Sequence, residues 1–556
     1  MPDVQENESP QHIGPLELTS GNLDSPTLLH SVEALKNEDI LTLVLLELKR
    51  LLEQDALPPA SLSRWESVFA SLLRISGPFF RSGIDILWNE MKSLVPAFKL
   101  LPWYNGKEYR GVETYKYTGA REWDRFSLYA SRIKRLRLFS FDENIIPDSL
   151  ILQLLNLHGR PEPLFPALQF IRISHNAWHA QSQVFFLAFG KALDCLEVSV
   201  VGQPNQSTLL AFLPTIPLRA SNLTDIKYWG PGGTELLYHI ACISTLTHLE
   251  LHLKKNVRED DMLLLRRLEK LRTFVLNLRP PNTVTPMFTR TTQPANLFPE
   301  GLEVLNIAAS GAAHRQICNG IILSPQLLDL RLVFADPIFT HDAQTVLVTA
   351  VKASPFLQIL SIEHSGEDTD TFHLPTFLRN PVASEALSSA SRLTKASFTH
   401  LPVWLAQSLL PSVQQAIPHW KHLTTLRFQL KFSLPHGPPQ INPDSRFPDM
   451  RFLATIQQAC PDLEVLEFHF DDALEGVPLH DELKEFPPLS HPLRTLEINT
   501  FEKLYSTVDL DRKVQIAVYL FVLFPGLETV DGTADAFWKD VDTLLASYQS
   551  LHDLQM

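Results

Sequence analysis

Two histidines and a glutamate alternate in His248-Leu-Glu-Leu-His252, an arrangement that on a β-strand puts all three side chains on one face. Alternate strand positions lie about 7 Å apart, so a zinc ion there needs ligands from the neighbouring strands as well. The residues aligned beside them are Asp225 and Lys227 on one side and Thr273 and Val275 on the other, which do not complete a tetrahedral site. Glu467 and His469 form a second such pair with the same shortage. Gly230-Pro-Gly-Gly-Thr-Glu235 offers backbone N–H groups to an anion, but it matches neither G-x-G-x-x-G nor the P-loop and no lysine follows. It reads as a turn with Thr234 capping a helix. Glu367-Asp-Thr-Asp370 lacks the spacing of a calcium loop, and Cys195, Cys242, Cys318 and Cys460 are too dispersed for a metal cluster or a redox pair. With no G-x-S-x-G either, the expectation is a protein that is not an enzyme and carries no metal or cofactor.

The strand beneath those histidines belongs to a recurring phrase, L-x-x-L-x-L. It starts at Ile133, Leu168, Leu193, Leu223, Leu246, Leu271, Leu302, Leu327, Leu357, Leu393, Leu423, Leu463 and Leu493, with a frayed copy at Leu527/Val530. From 133 to 527 there are 13 steps, so the mean period is (527 − 133)/13, about 30 residues, near the upper end of the leucine-rich range. Such a period predicts a solenoid in which each unit buries its apolar edge against its neighbours. The second and third apolar positions share a core face, as Leu249 and Leu251 do. The residues between them form a wet face: Arg135, Arg137, Arg172, Lys227, His248, Glu250, His252, Arg427 and Glu467. Each strand is followed by a loop and a helical stretch, for example 259–268, 342–351 and 511–523. The fold expected is α/β: a horseshoe with strands on the concave side and helices outside. The polar, proline-rich loops 279–301, 363–392 and 431–450 are expected to project from its rim.

The sequence divides into a polar tail (1–30), a helical region (31–100), an aromatic-rich linker (101–130) and the repeats (131–556). In the helical region Asn37 is a cap ahead of the stripe Ile40, Leu41, Val44, Leu45 and Leu48. Leu62, Trp65, Phe69 and Leu72 form a second stripe, expected to stop at Gly77-Pro78, and Ile84, Leu87, Trp88 and Met91 form a third. A net charge of −14 and the lack of a basic stripe speak against nucleic-acid binding. The polar start is unlike a signal peptide, and no apolar run reaches the roughly 20 residues of a membrane span. The expected location is cytoplasmic, nuclear or both.

LLRISGPFFRSGIDILWNEM (Leu72 to Met91) and ALKNEDILTLVLLEL resemble the two halves of an F-box. WDRFSLYASRIKRLRL (Trp123 to Leu138) and ACPDLEVLEF (Ala459 to Phe468) are similar to the repeat entry and repeat phrase of F-box proteins with C-terminal leucine-rich repeats, in the expanded fungal branch of that family. The Leu-Pro that usually opens the box reads Leu35-Lys36 here. The resemblance implies a receptor subunit of an SCF-type cullin–RING ubiquitin ligase. Its helical domain would dock a Skp-type adaptor, and through it a cullin, by Ile40, Leu41, Val44, Leu45, Leu72, Leu73, Ile75, Leu87 and Trp88. Its concave face would hold a protein target. The alternative from the residues alone is a helical cap on a repeat scaffold with no ligase association.

Overall fold

A computed structural model describes residues 37–54, 69–101, 122–138, 154–155, 159–174, 185–200, 203–254, 259–278, 298–310, 314, 326–335, 340–365, 381–431, 447–470, 477, 490–500, 509–532 and 535–555. The expected tail, most of the linker, Leu62, Trp65, Cys318, Glu367–Asp370 and the greater parts of the rim loops 279–301 and 431–450 lie outside the described residues, as does 366–380 of the loop 363–392. The rest of that stretch is not a rim loop, since Pro381–Ser389 is a helix with Ala383, Ala386 and Leu387 fully buried. The described chain forms two compact units, one of Met1–Met91 with Arg132–Lys134, the other of Lys92–Ser131 with Arg135–Met556.

The first unit is built on two helices, α1 (Glu38–Gln54) and α2 (Gly77–Asn89), followed by the short strand β1 (Glu90–Met91). Asn37 caps α1 as the sequence suggested: its Oδ1 accepts from the N–H groups of Asp39 (2.9 Å) and Ile40 (3.3 Å). The helical residues 69–72 end in a turn at 73–75, just ahead of the pair Gly77-Pro78. That pair opens α2, with Ser76 at the cap and proline in the first turn, where a missing N–H costs nothing. Leu41, Leu45, Phe69, Leu73 and Ile84 are buried together as this unit's interior. Gly83 permits the close approach of the helices, since a Cβ there would fall 2.1 Å from Leu73 Cδ2 and 3.1 Å from Leu45 Cδ1.

The second unit is one open parallel sheet. Its strands are β2 (Arg135–Leu138), β3 (Phe170–Ile173), β4 (Cys195–Ser199), β5 (Asp225–Gly230), β6 (His248–Leu253), β7 (Thr273–Leu278) and β8 (Val304–Ala309). They continue as β9 (Asp329–Phe334), β10 (Ile359–His364), β11 (Lys395–Leu401), β12 (Thr425–Leu430), β13 (Val465–Phe470), β14 (Thr495–Thr500) and β15 (Thr529–Gly532). The strands lie in sequence order, each pairing with the next. The second apolar positions align across them: Leu136, Ile171, Leu196, Ile226, Leu249, Phe274 and Leu305 in one half, then Leu330, Leu360, Ala396, Leu426, Leu466, Leu496 and Val530. The repeat pattern therefore set the register. All but Val530 are at most 3% exposed.

The first apolar position of each phrase works differently. It precedes the strand and closes a turn, as in Leu246 N–H to Ile243 O (3.2 Å) and Leu423 N–H to Trp420 O (3.1 Å). The next two N–H groups then converge on one carbonyl of the preceding repeat: Thr247 and His248 on Thr224 O, Arg272 and Thr273 on Thr247 O, Thr424 and Thr425 on Thr394 O. This backbone ladder satisfies donors that would otherwise be orphaned at each strand entry.

Helices return the chain between strands, among them α3 (Glu122–Ala130), which precedes the first repeat, α4 (Thr234–Ala241), α5 (Thr340–Ala353), α6 (Val403–Ala416) and α7 (Leu510–Leu523). At the start of the unit, Phe126 of α3 packs between Phe98, Trp123 and Phe165, with centroids 6.3, 5.5 and 6.0 Å away. The sheet's far edge is covered by α8 (Asp535–Gln555), which the sequence analysis did not mark. Trp538 is fully buried there, Asp542 accepts from the Val530 N–H (2.9 Å), and the Gln549 amide donates to Leu527 O (2.7 Å). A bare edge strand would template pairing with other chains, and α8 removes that opening.

Candidate interaction surface

Along β2–β15 the residues between the core positions alternate to the opposite face and their register forms rows across the sheet, but on β13 and β14 that face is not wet: Glu467, expected to be exposed, is buried, as are His469 and Asn499. One row reads Arg137, Arg172, Glu197, Lys227, Glu250, Val275, Asn306, Arg331, Ser361, Ser397, Arg427, Glu467, Glu497 and Asp531. Six of the residues expected on the wet face fall in this row (Arg137, Arg172, Lys227, Glu250, Arg427 and Glu467); Arg135 and His248 lie in the row on one side of it and His252 in the row on the other.

At the early end, cations and carboxylates alternate. Glu197 is buried and lies 3.5 Å from Arg172 Nε and 3.3 Å from Lys227 Nζ. Burial works against the Lys227 ammonium, yet Asp225 and Glu197 outweigh it and raise its pKa. The Arg135 and Arg137 guanidinium groups lie over the Phe170 ring, 4.6 and 5.6 Å from its centroid. A neighbouring row holds Trp229 and His252, whose rings stack at 5.1 Å with 19° between planes. His252 Nε2 is 2.6 Å from Glu250 Oε1, and this hydrogen bond is the main reason the Glu250 pKa is lowered.

The late end is acidic: Glu467, Glu497 and Asp531 are consecutive in register. Burial raises the Glu467 pKa and the neighbouring Glu497 adds to it, while Arg427 at 3.8 Å opposes both. Between the two ends, Arg331 forks onto Asp329 two residues away on β9, at 2.9 and 3.1 Å.

Among the described residues no group of three or more His, Cys, Asp or Glu side chains is placed to hold a metal ion. The His248/His252 pair is divided between Asp225 and Glu250: Asp225 acts on His248 electrostatically, whereas Glu250 hydrogen-bonds His252. The carbonyls of the glycine loop are held by side chains. Tyr228 Oη donates to Pro231 O (2.7 Å), and the Gln206 amide donates to Pro231 O (3.2 Å) and Gly232 O (3.4 Å). Thr234 is the first residue of α4 and makes no capping bond; the cap position is Gly233, at φ +157°, a backbone that favours glycine. Burial, with Asp225 and Glu197 nearby, pushes the Cys195 thiol up to about 12, and burial does the same for Cys460. Neither thiol ionises near neutral pH, so neither is a nucleophile there.

In the first unit, Leu41, Leu45 and Leu73 are interior, while Leu72, Leu87 and Trp88 are half-buried. Ile40, Val44 and Ile75 are exposed, joined by Leu43 and Phe80, which the sequence analysis did not single out. Leu43 and Ile75 are 67% and 66% exposed, values at which an apolar side chain gains little from its own unit.

No protein-family model matches the chain, and no curated protein matches it. Among solved structures it is similar to the leucine-rich repeat-containing protein LegL7 from Legionella pneumophila, with 11% identity and a TM-score of 0.28 over 64% of this chain and 91% of that one. The parallel, in-register repeat sheet described above is established by its own pairing. No helix among the described residues is long and apolar enough to cross a membrane.

Proposed function

We propose that this chain is a non-catalytic receptor subunit of an SCF-type cullin–RING ubiquitin ligase, its helical unit docking a Skp-type adaptor and its repeat sheet holding a target protein. The observation that carries the reading is the set of apolar side chains left in solvent on the first unit: Ile40, Leu43, Val44, Ile75 and Phe80. Apolar side chains this exposed, five on one small unit, gain free energy when a partner covers them. The sheet supplies the second half, a long face of fixed charged and aromatic side chains in register. The mechanism is proximity: a receptor that holds its target beside a charged ubiquitin-conjugating enzyme raises the effective concentration of the acceptor lysine.

A plain repeat scaffold is favoured by one observation, that Leu41, Leu45 and Leu73 serve the unit's own interior. Co-elution of the purified chain with purified adaptor and cullin separates the two. The receptor reading expects a stoichiometric complex that Val44→Asp or Ile75→Asp disrupts while the sheet stays folded. Absence of a complex at micromolar concentrations favours the scaffold.

A further inference from the structure

We propose that the early end of the sheet's open face, centred on Arg172 and Trp229, is a docking site for an acidic segment of a protein partner. The proposal rests on the reading that the repeats bind a protein, and it adds the place and the chemistry. A hollow of about 240 Å³ is lined by Arg172, Ile173, Ser174, Glu197, Ser199 and Trp229. That is below the roughly 300–1,000 Å³ typical of small-molecule pockets, and suits one or two side chains rather than a cofactor.

Its walls are held in place before anything binds. Trp229 is stacked on His252, which Glu250 fixes at 2.6 Å. Arg172, whose side chain is 48% exposed, is tethered by the buried Glu197. Such preorganisation lowers the entropy lost on association, and tryptophan and arginine are among the residue types enriched where interface energy concentrates.

Charge selects the visitor. Glu197 already faces two cations, Arg172 and Lys227, so a basic side chain entering the hollow meets those first. Over β2–β6 the described residues of this face carry Arg135, Arg137, Arg172 and Lys227 against Glu197, Asp225 and Glu250, in a protein of net charge −14. Phe170 beneath Arg135 and Arg137 holds both guanidinium groups near the sheet. A carboxylate therefore finds a local excess of positive charge here, and repulsion at the Glu497/Asp531 end, which sets where along the face an acidic segment lies.

The test is fluorescence anisotropy of the full chain with a fluorescein-labelled decapeptide of alternating Glu and Phe, its Gln-for-Glu and Lys-for-Glu counterparts, and a single-stranded DNA decamer. The acidic peptide should bind at least about tenfold more tightly than the Gln peptide, and the difference should shrink as salt rises. Arg172→Glu should remove the preference. Trp229→Ala should weaken binding about tenfold and Trp229→Phe should restore most of it, with thermal unfolding checking that each variant is folded. Glu467→Gln, at the far end, should not weaken binding. Equal affinity for the acidic and Gln peptides, equal or tighter binding of the DNA, or wild-type behaviour of Arg172→Glu each overturns the proposal. So does self-association of the chain that Arg172→Glu abolishes, which would make a second copy the occupant. Adaptor binding by Arg172→Glu, measured alongside, reads the first unit alone, so failure of the ligase reading and failure of this one are told apart.

Discussion

His469→Phe should make the protein less sensitive to acid, and the size of the effect follows from where the ring sits. His469 is on β13, fully buried, with Phe447 edge-on at 4.8 Å, and Asn499 beside it in register on β14. Burial pushes its pKa down to about 3. The unfolded chain has the ordinary value near 6.5, so below that pH the unfolded state binds a proton that the folded state refuses. The stability is present above pH 6.5 and is lost as pH falls toward 3, at a slope approaching about 1.4 kcal/mol per pH unit. Between pH 8 and pH 5 one such histidine costs about 2 kcal/mol. His314, fully buried against Phe334 and pushed down to about 4 by its burial, adds a similar loss, although carbonyls of Ser310 and Ile307 at 3.0 and 3.1 Å partly favour its charged form. Glu467, with its raised pKa, works in the opposite direction near pH 5, because its protonated form is the one the fold prefers. Comparing wild type with His469→Phe cancels both. Urea unfolding at pH 8 and pH 5 should show the variant losing about 2 kcal/mol less than wild type over that range. Losses that agree within about 0.5 kcal/mol would mean the ring is hydrated in solution and its burial is misassigned.

Leu249→Ala, Leu305→Ala and Leu466→Ala should each cost roughly 2–5 kcal/mol in urea unfolding, since all three side chains are fully buried between neighbouring strands. Gly532→Ala should lower the melting temperature, because a Cβ would stand 2.2 Å from the Ile498 carbonyl oxygen and 2.5 Å from Trp538, and the backbone oxygen cannot step aside. Trp538→Ala should cost about 3–5 kcal/mol and increase aggregation seen by light scattering, as α8 loosens from the β15 edge. Iodoacetamide at pH 8 should modify Cys242, which is exposed, well before the half-buried Cys195 or the buried Cys460 in the native protein; equal rates by peptide mass mapping would contradict these environments.

The repeat sheet was legible because its rule is local. Each strand from β2 to β14 announces itself by two apolar residues separated by one, and the aligned phrases even gave the right neighbours for His248 and Glu250, namely Asp225 and Lys227 on one side and Thr273 and Val275 on the other. What stayed hidden depends on side chains that meet across repeats. Trp229 and His252 are 23 residues apart and stack only because β5 and β6 are in register past the last apolar position of the phrase, where the pattern carries no signal of its own. Glu197 was overlooked although it occupies the same row as Lys227, and with it the neutralisation that makes the early face mixed rather than simply basic. Helix α8 follows the last repeat, so periodicity could not predict it; Phe537, Trp538, Val541 and Leu545 do trace one apolar stripe and were the available clue. In the helical unit, apolar periodicity marked the helices but could not say which stripe faced inward: Leu41 and Leu45 did, Ile40 and Val44 did not.

On the function proposed above, the exposed apolar side chains of the first unit would be a docking surface for a Skp-type adaptor. Hydrogen exchange of the intact chain, with and without saturating purified adaptor, tests it most directly. Exchange should slow in α1 and in the first turns of α2, around Ile40–Val44 and Ile75–Phe80, with the strands of the sheet unchanged. No protection anywhere, or protection confined to the sheet face, would contradict it.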